Sequence, residues 1–242
     1  MLCVVDGCGI RLTKQLTMPV YKPWFQGPLR YKDSEMIQVI FQPTKECYER
    51  ILPKPLKPGL LGGAYLAQFR NSPWGDFWES AIVVQCLYEA YFGVYCVTMH
   101  TDNIVSMTAH REIWGFPSKP GKFKYTRKEN RIKAQVLSNK VPIMKFDINL
   151  EGPGEWIDTG DTINLKIIPS VDGESYDVQH ITAAKLDFVI HEGQAGNGKL
   201  VLQNTEDDPL ADLFEFESIV AGTWFRVDLT TNLGKTIAKA EL

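Results

Sequence analysis

The sequence predicts one mainly β domain of the α+β type, an antiparallel sheet closed or nearly closed on itself with a few peripheral helices. Three observations carry this. Apolar runs of strand length, rich in β-branched and aromatic residues, recur along the chain and are separated by short turn clusters. Strand and helix patterns do not alternate, which argues against a parallel, doubly wound sheet. The chain has 242 residues and a 44% hydrophobic share, within the range of a single large β domain. No internal repeat is visible.

Residues 1–18 read as an N-terminal arm and 19–242 as the β domain. The stretch 19–30 is rich in proline and aromatics and reads as an extended lead-in. Met36–Phe41 is a strand, and Thr44 caps a short helix that ends before Leu52-Pro-Lys-Pro-Leu56. Residues 60–70 and 77–89 are strands joined by the turn-like Asn71-Ser-Pro-Trp-Gly75. Tyr91–His100 is a further strand. A polar break at Thr101-Asp102-Asn103 leads into a short helix at 104–109. Strands follow near 122–127, 131–138 and 142–150, then a loop over 151–161 and strands at 163–168, 178–189 and 198–203. An acidic helix is expected at 206–216, a last strand at 219–229, and a short helix at the end.

Composition removes several classes of function. Lysine and arginine number 26 against 29 acidic residues, a net charge of −3, which leaves no basic face for nucleic acid. The five cysteines are odd in number and show no CxxC or Cys/His spacing, so neither a metal site nor a disulfide framework is expected. Reduced thiols fit a cytoplasmic setting. The apolar run at residues 1–5 is too short for a signal peptide, and no run approaches the ~20 residues of a membrane span.

One segment stands out for chemistry: Arg111-Glu-Ile-Trp-Gly-Phe-Pro-Ser-Lys-Pro-Gly121. Pro117 and Pro120 stiffen the backbone around Ser118 and Lys119, and Gly115 and Gly121 permit sharp bends. A lysine held this way has a fixed direction. Exposed, it is an ordinary charge; desolvated in an apolar pocket, its pKa falls and it becomes a nucleophile or an acid–base group. Glu79, flanked by aromatics at a strand mouth, is a candidate general acid or base if buried and an edge residue if not. His100 ends an apolar strand and offers either a pocket base or a structural imidazole. His191-Glu192 reads as structural, tying down an adjacent glycine-rich turn. No nucleophile elbow, phosphate loop or zinc motif is present.

Several patterns in order resemble the acetoacetate decarboxylase family. The segment 111–121 is similar to that family's Arg-Glu-x-x-x-Tyr/Phe-Pro-Lys-Lys-x-Gly. Leu165-Lys-Ile-Ile-Pro169 with Asp172-Gly173 also fits, as does Val189-Ile-His191-Glu192 followed by Gly198, Leu200, Leu202, Pro209-Leu210 and Asp212-Leu213. Gln26-Gly-Pro28 and Leu52-Pro-Lys-Pro-Leu56 agree too. The resemblance implies a cone-like closed β-barrel around an apolar cavity, and commonly an oligomer. In that family the first lysine of the pair forms a Schiff base and the second depresses its pKa. Here the first position is Ser118 and the second is Lys119. The family's cavity arginine falls at Ser34, one cavity glutamate near Ala64 or Tyr65, and the other at Glu79.

The expectation is therefore an enzyme of this type, lyase-like or isomerase/cyclase-like, working without a lysine imine or any cofactor. Glu79 and His100 would move protons, Ser118 and Lys119 would orient a carbonyl oxygen, and Ser34, Tyr65, Trp114 and Phe116 would contact the substrate. The lost arginine points to a larger, less charged carbonyl compound, such as a polyketide-derived intermediate of secondary metabolism, undergoing cyclisation, isomerisation or dehydration. Two other readings stay open: a β-keto acid decarboxylase or aldolase with its imine on Lys119, and a non-catalytic small-molecule binding protein. The expected partner is the small carbonyl substrate, with a homo-oligomer and neither nucleic acid nor membrane.

Overall fold

The computed structural model describes residues 27–240, together with the backbone of two short paired strands, β1 (Val5–Asp6) and β2 (Gly9–Ile10). Apart from those strands, the expected arm at 1–18 and most of the lead-in at 19–30 lie outside the described residues. The chain then runs β3 (Leu29–Pro43), α1 (Lys45–Ile51), β4 (Lys57–Phe69), β5 (Phe77–Tyr88), β6 (Tyr91–Thr101) and α2 (Ile104–Ala109), which continues as a π-helical turn, His110–Trp114. After it come β7 (Ser118–Pro120), β8 (Lys122–Lys128), β9 (Arg131–Ser138), β10 (Val141–Pro153), β11 (Asp161–Pro169), β12 (Tyr176–Ala184) and β13 (Leu186–Leu202). The chain finishes with α3 (Leu210–Leu213), β14 (Phe216–Thr231) and β15 (Lys235–Lys239).

Strands β3–β15 form one sheet, in the order β15-β12-β11-β6-β5-β4-β3-β14-β13-β10-β9-β8, with β7 added on β6. Pairing is antiparallel except where β6 meets β11 and β7. Those two divide one edge of β6: Gly93–Tyr95 pair with β11, and Met99–Thr101 with β7. The mainly β, single-sheet expectation holds, but among the described residues the ring of hydrogen bonds does not close. The ends of the sheet are β8 and β15. β8 carries Lys122, Lys124, Arg127 and Lys128, and such charges keep an edge strand from pairing further.

The sheet curls so that its central strands are buried on both faces. One face of β3–β5 packs Ile37, Val39, Leu66, Ile82 and Val84 against Ile132, Val136, Met144 and Phe146 of β9 and β10. The other face looks into a second apolar cluster that includes Met36, Phe69, Met99, Trp114, Phe116 and Leu229. This two-sided burial explains why β5 reads as a nearly continuous apolar run.

Four local expectations change. The stretch 178–189 breaks at Lys185, so β12 and β13 are separate strands. The glycine-rich segment after His191 is not a turn: β13 passes straight through it. A Cβ on Gly196 would lie 2.1 Å from the Asn149 carbonyl oxygen, so this glycine serves close strand approach. Of the acidic helix expected at 206–216 only Leu210–Leu213 is helical. The C-terminal segment is a strand, because β12 offers an edge for Lys235–Lys239 and sheet pairing overrides a weak helical preference. Helix α1 does form as read, with Thr44 Oγ1 accepting the Cys47 amide at 3.1 Å. Among the described residues no helix is long and apolar enough to cross a membrane.

Candidate active site

Register decides which side chains meet. Paired residues on neighbouring strands project to the same face of a sheet. Across β3, β4, β5, β6 and β7 one row runs Gln38, Tyr65, Ala81, Met99, Ser118. The next runs Ile37, Leu66, Ser80, His100, Lys119. The first row faces the second cluster, where a cavity of ≈ 80 Å³ opens; the second row faces the main core. Ser118 and Lys119 therefore take opposite sides of the sheet.

The cavity is lined mostly by apolar and aromatic groups, among them Phe69, Met99, Phe116, Trp156, Phe188 and Leu229. Glu79 sits in that wall, 3% exposed. Tyr65 donates its hydroxyl to Glu79 Oε1 at 2.7 Å. Glu79 Oε2 lies 3.3 Å from His110 Nδ1 and has no hydrogen-bond partner among the described residues. His110 Nδ1 is also 3.4 Å from Ser106 Oγ, one helical turn earlier. Tyr31, Thr162 and Thr231 add hydroxyls to the lining. No lysine or arginine is among the described residues that line this cavity.

Burial sets the protonation states. It pushes the Glu79 carboxyl up to about 8, although the hydrogen bond from Tyr65 pulls the other way. It pushes the His110 imidazole down to about 4. Near neutral pH the pair is therefore carboxylic acid beside neutral imidazole. The Tyr65 phenol is held well above its ordinary value by burial and by Glu79, so it stays a donor. Replacing Tyr65 with phenylalanine removes the one contact that favours the carboxylate. The Glu79 titration is expected to move above pH 8, seen as an alkaline displacement of any activity profile governed by that group.

Of the residues singled out in the sequence, Glu79, Tyr65 and Phe116 line the cavity. Ser118 is buried on the same face, paired with Met99 and two residues after Phe116, and its hydroxyl has no hydrogen-bond partner among the described residues. Arg111 fixes this strand by donating to the Ser118 carbonyl at 3.3 Å. Trp114 supports the wall from behind: it is 1% exposed and donates its indole N–H to the Asn232 carbonyl at 2.9 Å. Ser34 is buried but its Oγ accepts the Arg70 amide, away from the lining.

His100 and Lys119 do not join this group. His100 Nε2 approaches Asp208 Oδ1 at 3.3 Å, and Lys119 Nζ donates to the same oxygen at 2.9 Å and to the Asp207 carbonyl at 2.6 Å. Burial pushes the Asp208 carboxyl up, yet hydrogen bonds from His100, Lys119 and Ser138 outweigh it and hold it well below the carboxylate range. The residue that sequence reading missed is His110. It stands just before Arg111-Glu112, and what brings it to Glu79 is the π-helical turn, which local sequence does not announce. Its spacing of four from Ser106 was the available signal.

Residues 17–240 match the family model for acetoacetate decarboxylase. The chain belongs to the acetoacetate decarboxylase family. It is 26% identical over 235 residues to the acetoacetate decarboxylase of Burkholderia ambifaria strain MC40-6, covering 93% of this chain and 95% of that protein. The crystal structure of acetoacetate decarboxylase from Legionella pneumophila superposes with a TM-score of 0.81 at 25% identity, covering 92% and 93% of the two chains. An acetoacetate decarboxylase-like enzyme from Sphingomonas wittichii RW1 gives 0.82 at 14% identity, covering 94% and 100%, a likeness of fold. In this chain Ser118 stands on the cavity face, and Lys119 stands on the opposite face with His100 and Asp208.

Proposed function

We propose that this acetoacetate decarboxylase-like protein moves protons at a carbonyl compound without forming a lysine imine. The observation that carries the reading is the register of β7 on β6. It turns Ser118 to the cavity face and Lys119 to the face of His100 and Asp208. The amine that would attack a carbonyl is thus tied to a carboxylate on the wrong side of the sheet.

The remaining groups suit enolisation. Glu79, protonated near neutral pH, gives its proton to the carbonyl oxygen while the neutral His110 imidazole takes a proton from the adjacent carbon. The C–H pair becomes the enol double bond, and the C=O pair becomes the new O–H bond. The resulting carboxylate and imidazolium lie 3.3 Å apart and offset each other in a low-dielectric site. Tyr65 stabilises the carboxylate through its hydroxyl. Returning the proton to a different carbon isomerises the substrate; loss of a β-leaving group dehydrates it; attack on a second carbonyl held in reach closes a ring. An uncharged substrate, such as a polyketide-derived ketone, fits a cavity that no lysine or arginine lines among the described residues.

Two measurements test this together. Wild-type protein in deuterated water is expected to exchange the α-hydrogens of a methyl ketone, followed by NMR. Borohydride added with acetoacetate is expected to leave the protein mass unchanged. A reduced adduct on Lys119 would overturn the proposal in favour of a relocated imine. Absence of any Glu79-dependent exchange would remove its acid–base core.

A further inference from the structure

Beside the cavity, and sharing Gln38, Tyr65, Val83, Val94 and Thr159 with it, lies a second compartment of ≈ 60 Å³. Its own walls are Ile40, Leu61, Gly62, Gly63, Gln85 and Ile157. Tyr65, whose hydroxyl bonds Glu79, stands in the walls of both spaces. The outer end reaches Ile157, a large apolar side chain left 45% exposed.

Gly63 is the residue that keeps this compartment open. It pairs with Ile40 on one side and Val83 on the other, so its missing side chain would project into the same space as theirs. A Cβ built there meets nothing nearer than the Val39 carbonyl oxygen at 4.0 Å. The neighbouring Gly62 differs: a Cβ there would strike the Phe41 ring at 2.5 Å on the opposite face. Gly62 is thus explained by packing, whereas Gly63 borders open space. Polar demand is low, since the Gln85 side-chain oxygen Oε1 already accepts from the Leu60 and Leu61 amides.

We infer that this compartment receives an unbranched aliphatic tail of the substrate, and that Gly63 sets how much tail is accepted. The substrate class is then a neutral ketone whose carbonyl meets Glu79 and whose alkyl chain passes Tyr65 toward Ile157. The inference rests on the proton-transfer reading for the position of the carbonyl, but not for the existence of the tail site. Burying a methylene is worth about a three- to fourfold gain in binding, so the effect of chain length is large.

The test compares acetone with methyl hexyl ketone. In wild type, kcat/KM for α-deuteration is expected to favour the hexyl ketone by about a hundredfold or more, allowing for incomplete burial. In Gly63→Leu that ratio is expected to collapse toward one. If this variant fails to fold, Ile40→Phe narrows the same compartment from the paired strand and is expected to lower the ratio in the same way. A wild-type ratio near one, with exchange still dependent on Glu79, overturns the tail site and leaves the proton chemistry standing. If neither ketone exchanges, binding followed by tryptophan fluorescence decides. Chain-length-dependent affinity that Gly63→Leu removes upholds the tail site alone, and affinity indifferent to chain length or to Gly63→Leu overturns it.

Discussion

Glu79→Gln is expected to abolish α-proton exchange and at the same time to make the fold more stable in alkali. The sign follows from where the proton resides. Unfolded, the carboxyl titrates near 4.5; folded, burial raises it to about 8. The native state therefore holds a proton that the unfolded chain releases between these values. Stability from this group is complete below pH 4.5, declines as pH rises through that window, and levels off above 8. Glutamine has no proton to lose, so its curve lacks the decline. Thermal melts at pH 5, 7 and 9 are expected to show the gap in favour of the variant widening, reaching on the order of 3–5 kcal/mol at the alkaline end. Parallel curves would mean that Glu79 is not desolvated. His110 works in the opposite sense and in a lower window. Its depressed pKa gives stability that is present above 6.5 and lost as pH falls through 4, so the alkaline effect can be assigned to Glu79.

Ser118→Lys is expected to create imine chemistry on the cavity face. The substitution puts an amine on the row that carries Tyr65 and Met99, in apolar surroundings that favour its neutral form. Borohydride in the presence of acetoacetate should then add mass at position 118, while wild type and Lys119→Ala remain unmodified. Burying the amine is expected to cost about 2–4 kcal/mol of stability. A folded S118K protein that resists trapping would show that position 118 does not face the ligand space.

Much of the fold could be read from the sequence where burial leaves a signature. The apolar run of β5, the capping threonine of α1 and the charged edge strand β8 each declare their environment through side chains alone. β15 did not, because its five residues become a strand only through the free edge of β12. The passage of β13 through its glycines was hidden for a similar reason: Gly196 and Gly198 answer to strands far away in sequence. In the site, Glu79 and Tyr65 were legible from their flanking residues and from the family pattern. His110 was not, since a π-helical turn redirects a side chain without altering composition. His100 drew attention as a polar end to an apolar strand, but strand alternation sends it to Asp208 on the other face.

The wall segment between α2 and β8 is held at fixed length. Gly115 adopts φ 80°, and a Cβ there would lie 2.7 Å from the Lys166 backbone. At the far end a Cβ on Gly121 would lie 2.9 Å from the His100 side chain. Neither bend has slack to absorb an inserted or deleted residue. Evolution can therefore change the chemistry of this wall only by exchanging the residue at a given position, never by sliding a neighbour into its place. Lys119 cannot reach the cavity face by a shift of register, so the chemistry on offer there is set by whatever residue stands at position 118.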